Sequence, residues 1–301
     1  MLFKDKPYKF KPASLPKNLA KIYRDVQYAE GSRHRLDIYL PKSDHACPVI
    51  IDIYGGGLLR GNKSSFKLNP SLNFIEDGFA VVSMDYSLNS PTINNFPNQI
   101  GEIHIALNFL MTHQRDYSID MSHITLIGES SGAQLAVLAA ASFSASVLLG
   151  DSYYFEKSNS SSFHIESVIA LYGPYQVDQF ATQFEQLDIV PEFSETGTAY
   201  SFEGIMLNNQ PPKDRPDLVK QANPAYYFTR DMPPLMLIAG KMDPVVPYLQ
   251  SINLADSYRH SVGNTIETIL VENGVHGPTD YNNNAIHEKK LTFINRYKKS
   301  T

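Results

Sequence analysis

Apolar residues follow two different patterns along the chain. In residues 33–41 they occupy every second position, which predicts an antiparallel strand with one buried face and one half-exposed face. The buried face would hold Leu36, Ile38 and Leu40, and the half-exposed face Arg35, Asp37 and Tyr39. Further on, the apolar runs are continuous, as expected for strands that are covered on both faces. These runs lie at 49–53, 79–84, 123–127, 168–172, 234–239 and 268–271.

Segments with helical periodicity separate these runs. In residues 100–110, apolar side chains recur at i, i+3, i+4 and i+7, and similar patterns cover 248–260 and 285–297. Strands that alternate with helices favour an α/β fold, with a mostly parallel central sheet flanked by helices and right-handed crossovers. In such a sheet, chemically active side chains collect at the carboxyl ends of the strands.

Two segments break this alternation. Residues 150–165 are polar and rich in serine, which predicts a surface loop. Residues 175–230 contain many aromatic and acidic residues and a double proline, and they are too long for an ordinary connection. We interpret them as a small helical cap over the active face, inserted before the strand that leads to Asp243. The cap would belong to a single domain that spans residues 1–301.

Composition and charge limit the setting of the protein. The 301 residues carry a net charge of −5 and are 43% apolar, so a sizeable core is expected and neither nucleic acid nor an anionic membrane is an expected partner. The chain contains no apolar run of membrane-spanning length and no apolar signal segment near its start. Cys47 is the single cysteine, which excludes an internal disulfide and fits a reducing, cytoplasmic setting. The lysines of residues 4–11 are expected to be solvated.

A GxSxG pentapeptide at residues 128–132 centres on Ser130. Such a pattern also occurs in glycine-rich turns, so its surroundings decide its meaning. It follows the apolar run at 123–127 and precedes a helical pattern at 133–140. This order is that of a nucleophile elbow, in which two glycines permit a tight turn that projects the serine above the sheet edge. We therefore expect Ser130 to be a nucleophile.

A serine nucleophile needs a base, and the base needs an acid that orients it. Asp243 follows the apolar run at 234–239, and His276 follows the run at 268–271. Alone, such an aspartate could form a turn and such a histidine could be a surface residue. The chain order Ser130, Asp243, His276 is the order of α/β-hydrolases, which favours a triad. The remaining candidates fit this order poorly, because they lie in predicted helices or at a strand start: His104, His113, His123 and His287.

A glycine loop follows the strand that begins at Cys47. It contains Gly55, Gly56 and Gly57, and glycines there allow backbone amides to approach a substrate oxygen. We expect the amides of Gly56 and Gly57, together with that of Ser131, to form an oxyanion hole. The alternative is a flexible turn without a binding role.

Several segments share a pattern with a known family. They are residues 35–41, 55–57, 82–86, 96–97 and 128–132, and the blocks around Asp243 and His276. Together they resemble α/β-hydrolase carboxylesterases of the hormone-sensitive-lipase-like and bacterial feruloyl-esterase-like branches. The resemblance spans about residues 33–298. It implies an α/β-hydrolase fold, serine hydrolysis of short acyl esters, a small-molecule ester as partner, and no metal or organic cofactor.

The chain departs from the family pattern at a few positions. Tyr54 stands where relatives usually have a histidine before the three glycines, and Leu58 replaces a bulky aromatic residue after them. We expect Tyr54 to anchor the loop through a hydrogen bond. Ser87 stands where an arginine is common, and Ala239 where a histidine is common. None of these differences removes a predicted catalytic group.

Three other functions are compatible with the same scaffold. An arylformamidase-type amide hydrolase would use the same triad, since specificity depends on the cap and pocket. A ligand-binding homologue without catalysis usually lacks a triad member, whereas this chain has all three candidates. A lipase for long acyl chains is disfavoured because residues 175–230 contain no strongly apolar lid helix. The sequence leaves the natural substrate and the oligomeric state open, a homo-oligomer included.

Overall fold

A computed structural model describes residues 2–151 and 163–298 of the chain. The predicted surface loop at 150–165 therefore lies mostly outside the described residues. Within the described ranges, every helix is too short or too polar to cross a membrane.

Eight strands of the described residues form one sheet. They are β1 (Leu19–Gln27), β2 (Arg35–Pro41), β3 (Cys47–Ile53), β4 (Ala80–Met84), β5 (Ile119–Glu129), β6 (Ile165–Leu171), β7 (Leu235–Gly240) and β8 (Ile266–Val271). Their order across the sheet is β1-β2-β4-β3-β5-β6-β7-β8. Strand β2 is antiparallel to both of its neighbours, and all later neighbouring pairs are parallel. The predicted mostly parallel α/β sheet is confirmed, with β3 to β8 at the continuous apolar runs.

Helices cover both faces of this sheet. The α-helices of the described residues are α1 (Asn69–Leu72), α2 (Asn98–His113), α3 (Ser131–Ser144), α4 (Phe180–Gln186), α5 (Phe202–Met206), α6 (Pro216–Ala222), α7 (Leu249–Ser261) and α8 (Asn284–Tyr297). Helices α4 to α6 are short and lie in the segment 175–230, where a helical cap was predicted. They come between β6 and β7, and therefore before the loop that contains Asp243.

Alternate residues of the central strands supply two separate apolar cores. Val49 and Ile51 of β3 belong to a cluster that includes side chains of α2, α3 and α7. Ile50, between them, belongs to the cluster on the other face, which includes Ile286 and Phe293 of α8. This alternation follows from the two-residue period of a strand. Because both faces are covered, the loops at the carboxyl edge of the sheet are the part available for chemistry.

The half-exposed face predicted for β2 is present at Arg35 but wrong for Asp37 and Tyr39. The strand is antiparallel as predicted, but Leu36 to Pro41 are all buried, including Asp37. Asp37 is buried because Lys63 Nζ lies 2.6 Å from Oδ1 and the hydroxyl of Ser64 donates to Oδ2 at 2.7 Å. Strand β1, which was not predicted, covers the outer edge of β2. A buried carboxylate with such partners can take the place of an apolar side chain.

Candidate active site

Ser130 occupies the turn between β5 and α3. Its backbone has φ 51° and ψ −128°, a strained conformation for a residue with a side chain. Both glycines of the pentapeptide are sterically required. A Cβ on Gly128 would lie 2.3 Å from the carbonyl oxygen of Gly132, and one on Gly132 would lie 2.0 Å from that of Ile53. The predicted order of strand, serine turn and helix is therefore present, and it places Ser130 at the carboxyl edge of the sheet.

The structure brings Ser130, His276 and Asp243 together. His276 Nε2 lies 2.9 Å from Ser130 Oγ, and His276 Nδ1 lies 2.8 Å from Asp243 Oδ2. Asp243 is 1% exposed, and its second oxygen accepts the backbone amides of Val245 and Val246 at 2.8 and 2.9 Å. Because a carboxylate only accepts hydrogen bonds, Nδ1 carries the imidazole proton. Nε2 is then left with a lone pair directed toward the serine hydroxyl.

The predicted glycine loop lies against the serine turn. Gly56 and Gly57 have φ values of 138° and 64°, which favour glycine. A Cβ on Gly55 would lie 2.7 Å from Cβ of Ser130. In the described part of the chain, the amides of Gly56 and Gly57 donate to no other group. The amide of Ser131, the first residue of α3, has no acceptor within the helix. The amides of Gly56, Gly57 and Ser131 therefore have no acceptor among the described residues.

Side chains on either side of Ser130 hold the two ends of this loop. The amide of Gly55 donates to Glu129 Oε1 at 3.2 Å, and the amide of Leu58 donates to Ser131 Oγ at 3.2 Å. From the sequence, only the backbone of Ser131 has a predicted role, and the Glu129 side chain has none. Both residues occupy unspecified positions of the GxSxG pattern, so the motif gives no signal for their side chains.

Tyr54 anchors the loop from below, and the predicted hydrogen bond is confirmed. The Tyr54 hydroxyl is bonded to the guanidinium of Arg33. Its ring stacks on that of Tyr86, with 4.6 Å between the ring centres. The Tyr86 hydroxyl in turn donates to the carbonyl oxygen of Tyr54 at 2.7 Å. This strand end is therefore fixed by polar and aromatic contacts together.

Glu129 is a buried anion beneath the site. Lys67 Nζ lies 2.7 Å from Oε1, and the Tyr172 hydroxyl donates to Oε2 at 2.6 Å. Burial alone would raise the pKa of Glu129, but the ammonium of Lys67 and the bonds from Lys67, Tyr172 and Gly55 lower it below its ordinary value. The ring of Tyr172 lies across the imidazole of His276, with 4.8 Å between centres. Tyr172 therefore contacts both the carboxylate of Glu129 and the imidazole of His276.

A pair of buried titratable groups lies behind the serine turn. Burial raises the pKa of Asp52 to about 7, and burial lowers the pKa of Lys290 to about 8. Ser71 Oγ donates to Asp52 at 2.6 Å. With Lys67 and Glu129, these residues line a cavity of about 20 Å³. Titratable groups are therefore buried under the elbow next to apolar side chains such as Ile127 and Leu171.

The N-terminal segment packs on the glycine loop, which the sequence did not predict. A Cβ on Gly57 would lie 2.4 Å from the ring of Phe3. Arg60 fixes this phenylalanine, because its guanidinium lies 4.2 Å from the ring centre and donates to the Phe3 carbonyl at 2.6 Å. Lys6 is exposed, as expected for these lysines, and its Nζ lies 2.8 Å from Glu192 of the segment 175–230. The terminus is docked by specific contacts.

Four phenylalanines of the segment 175–230 form one aromatic cluster with Phe3. Phe180 lies 5.6 Å from Phe202 and 6.3 Å from Phe184, measured between ring centres. Phe3 adds contacts to Phe202 at 5.4 Å and to Phe193 at 5.1 Å. These rings form an apolar cluster beside the glycine loop.

The other histidines lie away from this constellation. His104 and His113 are in α2, His123 is in β5 and His287 is in α8, where it is bonded to Asp77. Within residues 2–151 and 163–298, no three His, Cys, Asp or Glu side chains are arranged to hold a metal ion. Cys47 is buried at the start of β3, as expected for a structural thiol.

The fold and the sequence together define the class of this protein as an α/β-hydrolase. The BD-FAE family model matches residues 36–258, which is well over half of the chain. The chain belongs to the BD-FAE family.

Curated relatives extend over most of this chain. It is 27% identical over 256 residues to Esterase LipQ of Mycobacterium tuberculosis (strain ATCC 25618 / H37Rv), covering 84% of this chain and 56% of that protein. It is 26% identical over 264 residues to the probable isoprenylcysteine alpha-carbonyl methylesterase ICMEL1 of Arabidopsis thaliana, covering 85% and 51%. The chain thus spans about half the length of these relatives.

Solved structures match the fold closely. A truncated form of carbohydrate esterase from gut microbiota is 25% identical with a TM-score of 0.79, covering 95% of this chain and 99% of that chain. Esterase B from Lactobacillus rhamnosis is 21% identical with a TM-score of 0.70, covering 95% and 87%. At the latter identity the likeness concerns the fold alone.

Proposed function

We propose that the protein is a serine carboxylesterase that hydrolyses short-chain acyl esters through an acyl-enzyme intermediate. The observation that carries this proposal is the continuous hydrogen-bonded series from Ser130 through His276 to Asp243, set beside unbonded loop amides. The relatives are named esterases, which supports an ester as the bond that is hydrolysed.

In the acylation step, Ser130 Oγ attacks the ester carbonyl carbon while His276 Nε2 accepts the hydroxyl proton. Asp243 holds the imidazole in the required tautomer and stabilises the charge that it gains. The tetrahedral intermediate collapses when the protonated His276 gives its proton to the leaving alcohol. The acyl group then remains on Ser130.

The amides of Gly56, Gly57 and Ser131 would stabilise the oxyanion of each tetrahedral intermediate. Such donors act in the transition state, and losing one typically costs about 2.7–4 kcal/mol. In the second half of the reaction, His276 activates a water molecule that attacks the acyl carbonyl. Collapse of the second intermediate releases the acid and restores Ser130.

The preference for short acyl groups rests on the aromatic cluster beside the loop. Phe3 lies directly on Gly57. The ring of Phe202 packs against both Phe3 and Phe180. Rings that pack against one another in this way are not available to line a pocket for a long acyl chain. One structural neighbour is a carbohydrate esterase. Esters in which a sugar supplies the alcohol are therefore the first substrates to test.

Ser130→Ala should abolish turnover of p-nitrophenyl acetate, because no other hydroxyl faces His276 Nε2 in the described residues. Ser142→Ala is the matched control, since Ser142 is a buried serine of α3 whose hydroxyl donates to Ala139 of the same helix. Retained activity in Ser130→Ala would refute the serine mechanism.

A panel of acetate, butyrate, octanoate and acetylated-sugar esters, together with an N-formyl aryl amine, tests the substrate class. Faster turnover of the octanoate ester or the formamide would contradict the proposed preference.

A further inference from the structure

The carboxylate of Glu129 bonds to three separate parts of the site. Glu129 directly precedes Ser130, and its side chain is 9% exposed. Oε1 receives the amide of Gly55 at 3.2 Å and the ammonium of Lys67 at 2.7 Å, and Oε2 receives the hydroxyl of Tyr172 at 2.6 Å. One side chain therefore joins the glycine loop after β3, the segment before α1 and the end of β6.

The partners of Glu129 keep it charged and fixed. The lowered pKa of this buried carboxyl means that it is ionised at neutral pH. Charge-assisted hydrogen bonds are stronger than neutral ones, and donors from three directions leave the carboxylate one orientation. An ion pair with Lys67 also supplies the positive charge that a buried anion requires.

Tyr172 transmits this position to the base. Its ring is buried and lies at 64° to the imidazole of His276, with 4.8 Å between centres. Its backbone has φ 42°, and its amide is held by the carbonyl oxygen of Ile238 at 2.7 Å. A strained backbone at such a position persists only where the surroundings enforce it. With its hydroxyl bonded to Glu129, the ring forms a fixed wall for His276.

We propose that Glu129 is a positioning residue of the ester-hydrolysing site. It fixes the oxyanion loop through Gly55 and the orientation of His276 through Tyr172, and Lys67 holds its charge in place. The inference rests on the proposed function, since it assigns Glu129 to the same reaction. Oxyanion donors and base act mainly in the transition state, so loss of this link lowers turnover more than substrate binding.

Two conservative variants test the link by steady-state kinetics on p-nitrophenyl acetate. Glu129→Gln removes the charge, and Tyr172→Phe removes one hydroxyl. Each should lower kcat by about 10- to 100-fold, less than the loss of a whole oxyanion donor, with KM changed by less than about threefold. In the double variant the two losses should not multiply, because they break the same link.

Glu166→Gln is the matched control. Glu166 is a buried glutamate at the opposite end of β6, bonded to His123 at 3.0 Å. Its kcat should stay within about twofold of the wild type, because nothing in the link to His276 changes. A fall as large as that of Glu129→Gln would show a general effect of losing a buried carboxylate, and would overturn the inference.

Thermal unfolding identifies variants that do not fold. If Glu129→Gln fails to fold, the kcat of Tyr172→Phe decides alone. Wild-type kcat in the folded variants, or losses that multiply in the double variant, would overturn the inference. Labelling by a fluorophosphonate separates it from the proposed function. A wild type that is not labelled at Ser130 refutes the proposed function. A wild type and a Glu129→Gln variant that are labelled at equal rates refute only the role of Glu129.

Discussion

At the scale of single residues, the orientation of His276 depends on a carboxylate held from two sides. Asp243 gives one oxygen to the imidazole and the other to the amides of Val245 and Val246. Two backbone donors keep the carboxylate in place when the imidazole changes its charge. The proton on Nδ1 is therefore set by Asp243, and Nε2 is left to Ser130.

Asp243→Asn should lower kcat on p-nitrophenyl acetate by about 10⁴-fold, because an amide nitrogen in that place favours the wrong imidazole tautomer. Asp256→Asn, at a surface position of α7 where Asp256 pairs with Arg259, is the control and should keep wild-type kcat. Wild-type kcat in Asp243→Asn would mean that this carboxylate does not orient the base.

Ser131→Ala should keep the backbone donor but release the end of the glycine loop. Leu58 would lose its acceptor, Ser131 Oγ, and the donors of Gly56 and Gly57 would be held less firmly. We expect kcat to fall by about tenfold, less than for loss of a donor itself. Stopped-flow measurement of acylation tests this directly. An acylation rate equal to that of the wild type would show that the loop needs no support from this hydroxyl.

At the scale of elements, the N-terminal segment completes the wall beside the glycine loop. Phe3 is held by Arg60 and by the rings of Phe193 and Phe202. Its backbone amide is bonded to Glu195 of the segment 175–230. The segment thus joins the glycine loop to the proposed cap, although the three parts are far apart in sequence.

Phe3→Ala should lower the free energy of unfolding by about 1–3 kcal/mol, the sum expected for aromatic and cation–π contacts of this kind. It should also lower kcat severalfold, because Gly57 loses the ring that covers it. Urea unfolding and steady-state kinetics measure the two effects. The control is Phe10→Ala, since Phe10 is 54% exposed in the same segment. Equal stability of Phe3→Ala and the wild type would contradict the docking.

The strands could be predicted where burial alone determines their sequence. Strands β3 to β7 have continuous apolar runs because helices cover both faces. The edge strand β8 is only half-buried after Ile266, so the expectation that both of its faces are covered is wrong. Strand β1 lacks this signal, since it is an edge strand with an irregular register near Asp25. The burial of Asp37 in β2 could not be predicted either, because Lys63, which pairs with this carboxylate, lies on a loop distant in sequence.

The site could be predicted where chain order and strand ends determine it. Ser130, Asp243 and His276 each follow a strand, and the structure brings their side chains within hydrogen-bond distance. The contacts of Glu129 with Tyr172 could not be predicted, because 43 residues separate them and neither position has a distinctive pattern. Such contacts depend on the packing of strands, which a single sequence does not specify.

At the scale of the whole molecule, buried carboxyl groups make stability depend on pH. Glu203 in α5 is buried, and its Oε1 accepts the amide of Gly197 at 2.7 Å. Burial, with a smaller effect of the nearby Glu195, raises the pKa of Glu203 from 4.5 to about 7. The folded state therefore holds this proton more tightly than the unfolded chain does. The stabilisation of the folded state by this proton is complete below about pH 4.5 and is lost as pH rises through about 7.

Glu203→Gln should remove this dependence. Between pH 5 and pH 8 the wild type should lose up to about 3 kcal/mol of unfolding free energy relative to the variant. Urea unfolding at both pH values measures the difference. Glu288→Gln, at an exposed position of α8, is the control and should follow the wild type. A constant difference between the wild type and Glu203→Gln across this range would show that Glu203 titrates at its ordinary pKa.

The central claim is that the assembled molecule presents Ser130 as a nucleophile activated by His276. The most direct measurement is labelling of the native protein with a fluorophosphonate, followed by mass spectrometry of its peptides. We predict one label per chain, on the peptide that contains Ser130, and a large loss of labelling rate in His276→Ala. An unlabelled native protein, or a label on another residue with Ser130 unmodified, would contradict the account.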